Sequence, residues 1–209
     1  MYQCSYCGKK GCKSYNEEET LAVCAGKSSA IHEEATRLFQ EEENQLIARA
    51  AGKVEIQGYG RLTRMEEVMD FCKLCGYESL GLVFCSGLSR EAKTVTEILT
   101  HHGFSVNSAL CKTGSLPKSL VGLEAADTHS NCADEVMCNP IGQALLMNEQ
   151  KVDFTIIMGL CVGHDTLVMK YLESPMTVLA VKDRVAGHNP LAPIYTAKSY
   201  YRNRFFPED

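Results

Sequence analysis

The sequence predicts an α/β protein: a mostly parallel, Rossmann-like sheet of about four strands with flanking helices, preceded by an N-terminal four-cysteine zinc knuckle and a helical segment. Three observations predict it. The apolar runs LGLVFC (80–85), FSVNSALC (104–111), FTIIMGLC (154–161) and MTVLAVKD (176–183) have the length and composition of buried strands. Helical patterns separate them, and strands that alternate with helices pair in parallel. The first 27 residues, by contrast, are rich in Cys, Gly and Lys and carry no periodicity.

With 209 residues and 45% hydrophobic content, the chain suits one substantial domain plus a small appendage. The expected division is a cysteine knuckle over 1–27, then a helical lead-in and α/β domain over 28–209. A net charge of −5 with 21 basic residues offers no electrostatic footprint for nucleic acid. The opening MYQCSYCGKKGC lacks the apolar centre of a signal peptide, and no run approaches the roughly 20 apolar residues of a membrane span. The expectation is a cytoplasmic protein without nucleic-acid or membrane partners, with a homo-oligomer left open. Eleven cysteines in a reducing compartment argue for metal binding or thiol chemistry rather than a disulfide framework, and their odd number forbids complete pairing.

Taken in order, Cys4, Cys7, Cys12 and Cys24 have the spacing C-x2-C-x4-C-x11-C, four soft donors that suit a closed tetrahedral zinc site. Such a metal would supply folding energy that this short segment cannot obtain from burial. Over 28–51, Ile31, Ala35, Leu38, Phe39, Leu46, Ile47 and Ala50 fall near one helical stripe, predicting a packing helix. Thr63 with Glu66 forms a capping-box pattern that starts a helix ended by Gly76. The first strand follows, then a helix capped by Ser89 and ended by Gly103, then the second strand. Residues 112–137 are polar and irregular and predict a lid-like loop. A helix over 140–150, the third strand, a helix over 164–173, the fourth strand and a last helix from Pro190 complete the domain.

Each strand run stops on Cys85, Cys111, Cys161 or Asp183. The carboxyl ends of parallel strands open on one edge, where α/β proteins bind ligands, so three thiols and a carboxylate are expected in one crevice. In CNPIGQALLMN and HNPLAPIY, Asn is a favoured N-cap and Pro a favoured first helical residue, which puts Cys138 and His188 just outside helix starts. The helix dipole would lower the Cys138 pKa, and His188 could ligate metal or accept a proton. GLCVGHD places Cys161 on a strand-to-helix turn with His164 and Asp165 opening the helix. Asp183 is placed to orient His188, and Lys112 to bind an anionic group, as could Lys118. Cys72 and Cys75 share a buried helical stripe with Val68 and Phe71 and are expected to pack, which free cysteines often do. Cys132, His32, His101, His102 and His129 receive no role.

These stretches, together with GYGRLTRMEEVMDF, GLVFCSGLSREA, GFSVNSALCKTG and KDRVAGHNPLAPIY, resemble domain-of-unknown-function family 1847, a group of uncharacterised prokaryotic metal-binding proteins. The resemblance implies metal binding through Cys4, Cys7, Cys12 and Cys24. It singles out Cys85, Cys111, Lys112, Cys138, Cys161, His164, Asp165, Asp183 and His188, and implies no reaction.

Three functions are expected from these residues. The first is an enzyme whose Cys111, Cys138 and Cys161 hold a [4Fe–4S] cluster or a second zinc, with His164 and His188 carrying protons and Lys112 clamping a small anionic or sulfur-containing substrate. The second is a metal-free hydrolase or transferase with Cys161 as nucleophile and His188 or Asp183 assisting. The third is a metal or redox sensor acting through a protein partner.

Overall fold

All four apolar runs become strands of one sheet: β1 (Ser79–Phe84), β2 (Ser105–Leu110), β3 (Phe154–Leu160) and β4 (Met176–Val181). The sheet is wholly parallel, in the order β2-β1-β3-β4. The computed structural model describes every residue except Tyr15, Glu208 and Asp209, and no side chain is described for Glu17. The chain divides into two units, Met1–Tyr59 and Gly60–Asp209.

The described residues contain eight α-helices: α1 (Ser29–Leu38), α2 (Glu42–Gly58), α3 (Arg64–Cys75), α4 (Ser89–His101), α5 (Pro140–Glu149), α6 (His164–Tyr171), α7 (Leu191–Tyr195) and α8 (Arg202–Phe205). None of them is long and apolar enough to cross a membrane.

In the second unit, two apolar cores lie on opposite faces of the sheet, because successive side chains of a strand point to opposite sides. One joins Val68, Met69 and Cys72 of α3 and Ala92, Val95 and Leu99 of α4 to Leu80, Leu82, Phe154 and Ile156. The other joins Met147 of α5 and Val168 of α6 to Val83, Ala109 and Ile157. β3 is buried at all seven positions, as an interior parallel strand should be. Cys72 and Cys75 pack as expected: burial pushes the Cys72 thiol up to about 12 and raises that of Cys75.

The predicted helix boundaries hold in some places and shift in others. Thr63 and Glu66 form the capping box of α3, and Gly76 ends that helix at φ 73°. Asn139 caps α5 by accepting from the Gly142 amide, with Pro140 at the first helical position. Ser89 does not cap α4. It is the first helical residue, and its hydroxyl donates to the Ser86 carbonyl. The helix expected over 28–51 breaks after Leu38, where Asn44 Nδ2 takes the Leu38 carbonyl, and then runs on to Gly58. Of the predicted stripe Ala50 is buried, but Ile31, Leu38, Phe39 and Leu46 are exposed, and the other buried positions are Val54 and Gly58. The helix expected from Pro190 is a five-residue piece, α7, followed by the short α8, and His188 precedes α7 at φ 66° with no helix start of its own.

In the first unit, residues before α1 form four single 3-10 turns, Cys4–Tyr6, Gly11–Lys13, Glu17–Glu19 and Ala25–Lys27. Cys4 and Cys12 are exposed, and Cys7 and Cys24 half-buried.

Candidate functional site

The chain runs from β1 to β2 on one side and returns to β3 on the other, so the strand order reverses between β1 and β3. Ligands of open α/β sheets bind beyond the carboxyl ends at such a reversal. A cavity of about 510 Å³ opens there, wholly within the second unit, and Cys85, Cys111, Cys138 and Cys161 all line it. These four sulfurs come from the ends of β1, β2 and β3 and from the residue before the α5 cap.

Register explains the closest pair. Phe84 pairs with Leu110, so the next residues, Cys85 and Cys111, stand side by side as the strands end. The Cys111 amide donates to the Phe84 carbonyl at 3.0 Å, and the Ser86 amide donates to Cys111 Sγ at 3.3 Å. Burial raises the Cys85 thiol, but the Gly87 amide, the Lys182 ammonium and a hydrogen bond with Cys111 outweigh it, and the net shift is down. At Cys138 the balance is opposite. Burial and the neighbouring Cys111 push it up to about 11, despite Lys112, which corrects the expectation that the α5 start would make this thiol acidic. The sulfur of Cys161 accepts from Arg184 Nη2 at 3.4 Å.

Lys112 and His164 line the cavity as expected. Lys112 Nζ donates to the Val136 carbonyl at 2.6 Å, and burial followed by the Lys112 charge lowers the His164 pKa, which favours neutral imidazole. Asp165, Asp183 and His188 are not lining residues. Asp165 Oδ1 accepts from the amide of Thr166. The carboxylate of Asp183 is taken by the Val185 and Ala186 amides in a local turn, while its backbone N–H donates to His188 Nδ1 at 3.1 Å. Asp183 therefore fixes the imidazole through its main chain, a correction to the expected carboxylate–imidazole pair. Sequence reasoning missed His129 and Glu135 on the loop, and Lys182 and Arg184 beside the thiols. The last two had a signal: they flank Asp183 in KDR at the end of β4.

The 112–137 loop forms one wall. An isolated bridge between Pro117 and Val136 closes its base, and Lys118 Nζ meets Glu135 Oε1 at 2.5 Å. Lys118, then Ser130, holds the Glu135 carboxyl down to about 2 from its ordinary 4.5. A depressed carboxylate contributes stability that is present above the unfolded pKa and lost as pH falls toward the folded one. Amide exchange across 118–136 is therefore expected to accelerate, relative to the sheet, between pH 4.5 and 2, and Glu135→Gln should show that loosening at neutral pH. Equal loop protection in the variant would refute the strut.

Among the described residues, no three His, Cys, Asp or Glu groups stand where they could share one metal ion. Lys182, which is not a lining residue, stands against Cys85, and Arg184, which is, stands against Cys161, so cationic groups lie beside two of the sulfurs. In the amino-terminal unit the Lys10 amide donates to Cys7 Sγ at 3.5 Å.

A family model described as a protein of unknown function (DUF1847) matches residues 24–179, well over half of the chain. The chain belongs to the DUF1847 family. The DUF1847 match contains all four cavity cysteines and Lys112 and ends before Lys182 and Arg184. An uncharacterized protein of Methanocaldococcus jannaschii is 41% identical over 199 residues, covering 95% of each chain. No solved structure matches.

Proposed function

We propose that the protein is a thiol-dependent enzyme of the hydrolase or transferase kind, acting on a small anionic substrate held in the cavity at the carboxyl edge of the sheet. One observation carries this reading: four cysteines lie in a cavity with Lys112 and Arg184, and among the described residues neither cation has a carboxylate partner. Lys118 is neutralised by Glu135, which leaves Lys112 and Arg184 to hold the anion while a thiolate attacks its electrophilic atom. Neutral His164 is available to accept or return a proton.

The amino-terminal unit has a separate role in this reading. On binding one structural zinc, Cys4, Cys7, Cys12 and Cys24 would be drawn together, and the metal would cross-link the three short turns that carry or adjoin them, Cys4–Tyr6, Gly11–Lys13 and Ala25–Lys27. The donor type and the amide on Cys7 Sγ support it.

Metal analysis and alkylation test both parts. Protein purified without oxygen should carry about one zinc per chain, without iron or acid-labile sulfide, and keep it in Cys111→Ser and Cys138→Ser. Iodoacetamide should label cavity thiols at the same rate with and without chelator. Iron that disappears in both variants, with cavity thiols protected until chelation, would replace this reading with a [4Fe–4S] or other metal centre on Cys111, Cys138 and Cys161.

A further inference from the structure

We propose that Cys85 and Cys111 form a reactive dithiol that reduces low-molecular-weight anionic disulfides: Cys85, beside the Lys182 ammonium, attacks, and Cys111 closes the intramolecular disulfide. This rests on the reading of the cavity as a thiolate site with anion-holding cations, and goes beyond the hydrolase or transferase chemistry proposed there by assigning a two-electron exchange, an attacking sulfur and a third cation.

The geometry begins in the sheet. Parallel neighbours are about 4.8 Å apart, within the Cα separation that a disulfide spans, and Cys85 and Cys111 are the first residues beyond a continuous register. Their thiols are in hydrogen-bond contact, as a pair poised to close must be. Lys182 reaches Cys85 beside Gly87 and Gly159. A β-carbon on Gly87 would lie 3.6 Å from Lys182 Nζ and 3.8 Å from Cys85 Sγ, and one on Gly159 would lie 3.7 Å from the same ammonium. The amides of Ser86 and Gly87 complete the setting by donating to Cys111 and Cys85 respectively. An ammonium and an amide directed at one sulfur favour the thiolate, which is the attacking form.

Size and charge select the substrate. Cys85 is 9% exposed, and what exposure it has faces the cavity, so a disulfide in a folded protein surface cannot reach it. A small disulfide bearing carboxylates would meet Lys112 and Arg184 as it enters.

Atoms and electrons balance in two exchanges. Cys85–S⁻ attacks one sulfur of R–S–S–R, forms Cys85–S–S–R and expels R–S⁻. Cys111–SH then attacks the Cys85 sulfur, giving up its proton to the departing thiolate, and releases the second half as R–SH. The protein dithiol is oxidised by two electrons and the disulfide is reduced by two. A dithiol reductant such as dithiothreitol returns the protein to its starting state.

The test uses the full, reduced chain with two disulfides of similar size and opposite charge, dithiodiglycolate and cystamine. With dithiodiglycolate, intact mass should fall by two hydrogens and peptide mapping should find Cys85 joined to Cys111. Cystamine should react roughly tenfold more slowly, because the cavity cations repel it. Cys111→Ser should stop at a mixed disulfide on Cys85, and Lys182→Met should slow that first step roughly tenfold while leaving the thermal midpoint near wild type. Rapid iodoacetamide labelling of Cys85 without a Cys85–Cys111 disulfide would overturn the dithiol and leave the thiol-enzyme reading standing. Labelling of all four cavity cysteines no faster than that of buried Cys72 would overturn both.

Discussion

Gly159→Ala is expected to cost about 2–4 kcal/mol of folding stability and to detach Lys182 from Cys85 at the same time. Gly159 lies inside β3 at φ 66°, in the left-handed region that an L side chain adopts only under strain. A β-carbon there would come 2.1 Å from Leu88 Cδ1 and 3.2 Å from its Cγ, and Leu88 is 7% exposed within a packed core. The residue marks an irregularity in the β3–β4 ladder: Met158 pairs with Ala180 but Leu160 with Val181, so Gly159 has no opposite residue. Bulges of this kind bend the strand and re-aim neighbouring side chains. Here Lys182 N–H donates to the Leu160 carbonyl at 3.1 Å, which sets the lysine at the cavity edge. Gly103→Ala is the control, since φ there is 92° and nothing stands within 4 Å of the added carbon, so it should lose only about 1 kcal/mol. Urea midpoints of the two variants decide the matter. A loss at Gly159 no larger than at Gly103 would mean that Leu88 repacks freely and that steric exclusion is not why glycine stands there.

That glycine illustrates which parts of the molecule are legible in the sequence. All four strands could be read because a buried parallel strand is a short apolar run bounded by turn signals, and β1 to β4 each lie within two residues of the expected limits at both ends. Convergence of Cys85, Cys111 and Cys161 was legible for a topological reason, since parallel connection sends every strand's carboxyl end to one edge; Cys138 joins them from the start of α5, while Asp183, expected there too, does not line the cavity. The electrostatics of those residues were not legible. The expected acidity of Cys138 rested on one local feature, the α5 start, whereas burial and Cys111 act through space from segments distant in the chain. Lys182 and Arg184 escaped for the same reason, since nothing at positions 182 and 184 records which sulfur lies across the crevice. The His188 reading failed on backbone geometry: the Asn-Pro signature was present, but the chain turns through positive φ at His188 and helix formation waits until Leu191.

Gln143→Glu should be the most damaging of the near-isosteric changes around the site, and its damage should depend on pH. Gln143 belongs to α5 and is fully buried, with Nε2 donating to the Ala109 carbonyl at 2.7 Å and the Phe84 carbonyl at 3.1 Å. It thus ties the ends of β1 and β2 together just before Cys85 and Cys111. Its Oε1 has no partner among the described residues. A carboxylate in that place would set negative oxygens against two carbonyl oxygens with no compensating charge, at a cost of about 3–5 kcal/mol. The buried acid would escape part of that cost by keeping its proton, so its folded pKa would rise above the unfolded value. Stability conferred by such a group is present below the unfolded pKa and is lost as pH rises through the folded one, because the folded state then binds more protons than the unfolded state. Gln143→Glu should therefore lose about 1.4 kcal/mol per pH unit across that window and be most stable in acid, a slope opposite in sign to that set by Glu135 in the native chain. Gln143→Met removes both donated bonds but also the unpartnered oxygen, so it should cost only about 1 kcal/mol and show no new pH dependence. Denaturation of both variants across the pH range checks this. A flat profile for Gln143→Glu would show that the side chain leaves the interior, and that the sheet ends carrying Cys85 and Cys111 are held together without it.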